Sequence, residues 1–300
     1  MPTSADIIAN AKKAGVVIPA FNVPYLPMVA PVIQAVVDQN VFALIETARP
    51  EWTGDADQGM TAVKQEFDKW CNPAHVRLHL DHVPVIDEGY QRVDYVPIIQ
   101  KAIDLGYQSV MIDGSRVKLA ENIAATRQVA EMAHKAGIPC EAELGRVLGH
   151  EAGPPPPYQE LYESGLGFTD VEEARRFVRE TGCDWLSVAI GNIHGSISEA
   201  LKDKKKVQAK LNLDHLEKLN QAVGVPLVLH GGSGVQQKYV LDAFKRGIAK
   251  MNIGTEIRQA YEAAFNESGS VAKAQEATYA RTVWVLRDYL CLTGSRKLVA

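Results

Sequence analysis

The chain of 300 residues carries 46% hydrophobic and 23% charged side chains with a formal net charge of −4, a globular balance that calls for a substantial core and gives no reason to expect nucleic acid or an anionic membrane as partner. The opening MPTSADIIANAKKAG is amphipathic without a long apolar run, so neither a signal peptide nor a membrane anchor is expected. Four scattered cysteines without a CxxC pair suit free thiols in a reducing cytoplasm.

In chain order, a helical stretch at 3–14 precedes eight short, β-rich apolar runs. These are VVIPAFN (16–22), VFALIET (41–47), VRLHLDH (76–82), SVMIDGS (109–115), PCEAELG (139–145), WLSVAIG (185–191), PLVLHGG (226–232) and AKMNIG (249–254). Between them the 3.6-residue apolar period predicts helices at 88–105, 117–136, 170–181, 213–223 and 236–246. A last helix and tail run over about 256–291. The glycines of LGYQS, AGIP and VGVP read as helix C-caps before the next strand.

Eight strands alternating with helices predict an α/β fold, a single (β/α)8 TIM barrel occupying 1–300 as one domain. The first helix would cover the barrel bottom, and the segment 256–300 would supply the final helix and a tail. A doubly wound open sheet fits the same alternation, but no GxGxxG follows the first run.

Active sites of such barrels gather at the C-terminal strand ends, and the chemically capable residues fall there: Asn22, Asp81, His82, Asp113, Glu143, Asn192, His194, His230, Ser233, Asn252 and Thr255. Three histidines ending the third, sixth and seventh strands (His82, His194, His230) could converge on one ion, leaving a position open for substrate as catalytic zinc sites do. Read singly, each histidine is a hydrogen-bonded loop residue. Asp81 would then stand beside the ion's open face and exchange a proton with a substrate hydroxyl. Strict alternation, however, points Asp81 and His82 to opposite faces unless the strand has ended. Asp113 and Glu143 suit either a second cation or the orientation of the histidines. The turns HGGSG (230–234) and NIGT (252–255) lie where barrels of this type build phosphate sites, after strands seven and eight. Glycine serving only a positive φ is the plain alternative.

With LHLDH, GYQSVMIDGS, EAELG, AIGNIHG, LVLHGGSG and MNIGTE in this order, the chain resembles the class II, zinc-dependent ketose-bisphosphate aldolases of the fructose- and tagatose-bisphosphate type. The resemblance implies reversible cleavage of a phosphorylated ketose to dihydroxyacetone phosphate and an aldehyde in a cytoplasmic homodimer or homotetramer. Fructose 1,6-bisphosphate is the default substrate, and tagatose 1,6-bisphosphate or another ketose 1-phosphate the alternative. It implies Zn2+ on His82, His194 and His230, with Asp113 and Glu143 at accessory positions for a second divalent or monovalent cation. It further implies proton transfer at the C4 hydroxyl by Asp81 and at C3 by Glu151. Asn22, Gly195, Gly231, Ser233, Gly254 and Thr255 would hold the substrate and its phosphate, with Asn252 near the enediolate. The chain departs from the family at FNVPYLP (21–27), at ETARPEW (46–52) and at Val83. The first two lie where the second half of the substrate would sit, which leaves the aldehyde open and offers Arg49 as a partner for a different anion. A Schiff base on Lys250, a metal-dependent hydrolase and a non-catalytic sugar-phosphate binder are the competing readings.

Overall fold

The computed structural model describes residues 1–48, 56–145, 158–192, 209–232 and 234–300. Eight parallel strands close a barrel in sequence order: β1 (Ile18–Asn22), β2 (Ala43–Thr47), β3 (Val76–Pro84), β4 (Val110–Asp113), β5 (Cys140–Leu144), β6 (Trp185–Val188), β7 (Leu227–Leu229) and β8 (Ile248–Ile253). Each expected apolar run contributes one strand. Helix α1 (Ser4–Ala14) precedes β1; α2 (Val29–Asp38), α3 (Ala56–Trp70), α4 (Tyr95–Asp104), α5 (Leu119–Lys135), α6 (Tyr158–Ser164), α7 (Val171–Thr181), α8 (Leu213–Val223), α9 (Gln237–Phe244), α10 (Thr255–Ser268) and α11 (Val271–Trp284) follow in the chain. Among the described residues no helix is long and apolar enough to cross a membrane.

Alternation along the strands divides the core in two. One set of side chains, such as Val76, Leu78 and Leu80 of β3 or Ala142 and Leu144 of β5, packs outward against the helices. The other set fills the barrel. Its lower layer is apolar: Ala20, Leu44, Trp185 and Val228 meet Ile7, Ile8 and Ala11 of α1, which closes the bottom as expected. That helix is fixed by a reciprocal cap between Thr3 and Asp6 and ends at Gly15, whose φ of 64° suits glycine. Burying Ile7 and Ile8 completely contributes about 1.5–3 kcal/mol each before entropy is counted.

Two helix expectations shift. The helix predicted from residue 88 begins only at Tyr95, because Asp87 Oδ1 accepts the N–H groups of Gly89 and Gln91 and holds the preceding segment in a turn. The long final helix breaks at Gly269 (φ 64°), after which Ser270 caps α11 by accepting from Lys273 N–H.

Candidate active site

Asp81 and His82 do share the rim, although β3 continues to Pro84. Leu80 pairs with Val110 but Val83 with Ile112, so β3 holds one residue more than β4 over that interval. His82 absorbs the slip at a φ of 41°, in a region few non-glycine residues visit. A bulge of this kind re-aims a side chain beside a site. The expectation that convergence needs the strand to end is thereby corrected. Val83 returns to the helix-facing core and does not crowd the rim.

The buried Asp81 carboxylate is held at both oxygens. Asn22 Nδ2 donates to Oδ2 and Asn252 Nδ2 to Oδ1, each at 3.0 Å. Burial alone would raise its pKa, but the neighbouring His82 and Lys250 charges overcome that and hold it well below the usual carboxylate range. It is therefore ionised at neutral pH.

His82 and His230 meet edge to face with ring centroids 4.5 Å apart. One donor atom each from Asp81, His82 and His230 lie within 4.8 Å of one another, and so do donors of His82, Asp113 and Glu143. His82 Nδ1 stands 3.5 Å from Asp113 Oδ2. Buried His230 has Nε2 2.8 Å from Glu141 Oε1 and Nδ1 3.0 Å from Glu143 Oε2. Against burial and the His82 charge, these two carboxylates push His230 up to about 9. Imidazoles and carboxylates converging at this spacing fit a divalent ion of borderline softness, and Glu141 has the place of a carboxylate that orients a ligating histidine. The surrounding shell is built: Ser115 N–H donates to Asp113 Oδ1 at 2.9 Å, Ser187 Oγ to Glu143 Oε2 at 3.3 Å, and Asn192 Nδ2 to the His230 carbonyl at 2.9 Å.

Of the remaining expected residues, Asn252 lies at the end of β8, Gly254 is the cap residue between β8 and α10, and Thr255 opens α10. Gly231 follows β7 with φ 65°, and a Cβ on Gly232 would lie 2.2 Å from the Met251 side chain, so this turn needs its glycines. The adjacent helix α9 starts at Gln237, one residue after the expected start at 236. His194, Gly195, Ser233, Glu151 and Arg49 lie outside the described residues.

Below the rim lies a charged layer that the strand-end argument missed. Lys250 Nζ is 2.6 Å from Glu46 Oε1, 2.8 Å from Glu141 Oε2 and 2.7 Å from Asn252 Oδ1, all fully or nearly fully buried. His79 Nδ1 pairs with Ser109 Oγ at 2.8 Å, and burial together with Lys250 lowers its pKa to about 3, so the ring is neutral. Burial and the nearby Asp81 and Glu141 charges outweigh Lys250 and raise Glu46 to about 8. Glu141, despite burial, is held at about 2 by Lys250 and His230. At neutral pH the layer thus consists of one ammonium, one carboxylate and one carboxylic acid. Strand parity was the available signal: Glu46 shares a face with Leu44, and Glu141 shares one with Glu143.

A parallel barrel with a buried carboxylate and metal-capable donors at its C-terminal rim has the make-up of a barrel enzyme. Residues 3–290 match the family model for class II fructose-bisphosphate aldolase. A fructose-bisphosphate aldolase of Streptococcus pyogenes serotype M3 is 33% identical over 280 residues, 92% of this chain and 86% of that protein. Among solved structures, the YdjI aldolase of Escherichia coli K12 is similar with a TM-score of 0.76 and 28% identity, covering 99% of both chains. A putative fructose-1,6-bisphosphate aldolase of Coccidioides immitis is similar with a TM-score of 0.78 and 27% identity over 98% of both. The chain belongs to the class II fructose-bisphosphate aldolase family, and is an aldolase, a carbon–carbon lyase acting on a phosphorylated sugar.

Proposed function

We propose that this aldolase is zinc-dependent and cleaves fructose 1,6-bisphosphate, with tagatose 1,6-bisphosphate or another ketose 1-phosphate as the alternative, to dihydroxyacetone phosphate and an aldehyde. The observation that carries the reading is an ionised Asp81, anchored at both oxygens, whose donor atom lies within 4.8 Å of those of His82 and His230. His82, His194 and His230 would hold Zn2+, with Asp113 and Glu143 available to an accessory cation. When bound, the ion supplies Lewis-acid polarisation of the substrate carbonyl.

The chain's own part is proton transfer and orientation. Asp81 takes the proton of the C4 hydroxyl as the C3–C4 bond breaks and returns it in the condensation direction. Asn22 and Asn252 keep its carboxylate from rotating. The N–H groups opening α10 at Thr255, with Gly254 before them and Gly231 after β7, suit the phosphate of the dihydroxyacetone half, for which the family resemblance also implies Gly195 and Ser233. Glu151 would move the C3 proton. A cytoplasmic homodimer or homotetramer completes the reading, supported by four free thiols and by exposed Tyr25, Leu26, Phe265 and Trp284.

The test is a coupled assay for released dihydroxyacetone phosphate over a panel of ketose 1-phosphates and 1,6-bisphosphates, with and without chelator. Release from fructose 1,6-bisphosphate that stops on chelation and returns with Zn2+ is expected. Turnover surviving exhaustive chelation overturns the metal assignment.

A further inference from the structure

The buried Lys250 serves neither the barrel's apolar core nor the rim directly. It lies below the rim, with its ammonium on Glu46, Glu141 and Asn252. A Schiff-base role would require a nucleophilic, neutral amine. Burial favours that form, yet Glu141 and Glu46 more than reverse it and hold the ammonium above its usual range. A permanent cation at this place has a different consequence. An ammonium donates hydrogen bonds and cannot accept them, whereas a primary amide can present either its oxygen or its nitrogen. Facing Lys250 at 2.7 Å, Asn252 must turn Oδ1 toward Nζ, which leaves Nδ2 aimed at Asp81 Oδ1, 3.0 Å away. The flipped amide would set donor against donor below and oxygen against carboxylate above.

We infer that Lys250 is a positioning residue for the aldol step: it acts through Asn252, fixing which end of that amide faces the base Asp81. Its partners fit the task. Glu141 also contacts His230, so the same layer braces the base through Lys250 and Asn252 and braces His230 through Glu141. Glu46 Oε1, 2.6 Å from Nζ, helps to hold the ammonium in place. This inference rests on Asp81 being the base, and that premise has its own control.

The test is a double-mutant cycle on the zinc-loaded enzyme between Lys250→Met and Asn252→Ala, with kcat, KM, zinc content and thermal melting read on each variant. Lys250→Met is expected to lower kcat about 10- to 100-fold, the range for a residue that orients an active-site group through hydrogen bonds, with KM and zinc content unchanged. In the Asn252→Ala background the same substitution is expected to cost nothing further, because the amide it orients is gone. A loss that persists there, a loss carried by KM, or a fall in zinc content overturns the proposal, the last pointing to Glu141 and His230 as the route. Should Lys250→Met fail to fold, Lys250→Gln carries the same cycle. An amide at 250 can face Asn252 through either end and no longer dictates its orientation, so Lys250→Gln at full wild-type speed also overturns the proposal. The control is Asp81→Asn. Retained turnover there would remove the premise, whereas an inactive Asp81→Asn with an additive cycle removes only the role of Lys250.

Discussion

The two layers inside this barrel are built by the same strands and differ in almost every physical respect. A single residue separates Leu44 from Glu46 on β2, Trp185 from Ser187 on β6, and Val228 on β7 from His230 just past its end. The first of each pair meets α1 in an apolar plug. The second belongs to a layer where Lys250, Glu141, Asp81 and His230 are buried and charged or hydrogen-bonded to charges. Apolar burial stabilises without direction, while buried charges are costly unless each geometry is satisfied. The lower layer is therefore expected to set stability, and the upper to spend some of it on a fixed arrangement of groups.

The largest effect should come from the upper layer. Asp81→Asn keeps the size of the side chain but removes the base and sets its new NH2 against one of the two amide donors, Asn22 or Asn252. A kcat loss of about 10²–10⁴-fold is expected, with the folded structure retained, as steady-state kinetics and circular dichroism would show. A variant with near-normal turnover would erase the functional contrast between the layers. The converse substitution is Ile8→Ala in α1, whose side chain is fully buried in the plug. It should cost about 2–5 kcal/mol in denaturant unfolding while kcat of the remaining folded enzyme stays at the wild-type value. A kcat that falls with Ile8→Ala would show that the plug reaches the chemistry.

Much of this contrast was legible in the sequence because alternation and chain order are local properties. Eight apolar runs with polar ends predict a barrel and a rim, and Asp81, His82 and His230 meet there. What escaped depends on events that no single run encodes. The Asp81–His82 convergence needs a slip between β3 and β4 at His82, a choice made by two strands together. Glu46 and Glu141 looked like strand interiors, since their partner Lys250 comes from β8, far along the chain. The turn held by Asp87 displaced the start of α4 because a side-chain oxygen competed with the helix for backbone N–H groups.

Metal loading sharpens the same contrast through pH. In the metal-free protein His230 is raised to about 9, and His82 also lies well above its ordinary value, against burial, through Asp81 and Asp113. A metal must displace those protons to bind. Apparent zinc affinity, measured by competition with a chelator of known affinity, should therefore weaken at least tenfold for each unit that pH falls below about 9. A flat profile between pH 6 and 9 would mean that His230 is not a ligand.

The gentlest intervention is Glu46→Gln, which replaces a protonated acid by its amide beside Lys250. Burial and the Asp81 and Glu141 charges raise Glu46 in the folded state to about 8 from an ordinary value of 4.5. Below pH 4.5 both the folded and unfolded states hold the proton, and the contribution to stability is complete. Between 4.5 and about 8 only the folded state holds it, so the wild type loses stability as pH rises, with a limiting slope of about 1.4 kcal/mol per unit. Above about 8 the loss levels off. Glutamine cannot titrate, so the stability difference between variant and wild type should grow in the variant's favour across that window. Shared contributions from His79, Glu141 and His230 largely cancel in the difference. Urea unfolding of both proteins at pH 5, 6.5 and 8, in the same metal state, measures it. Parallel profiles would place a charged Glu46 beside Lys250 at neutral pH and make the upper layer two carboxylates around one ammonium.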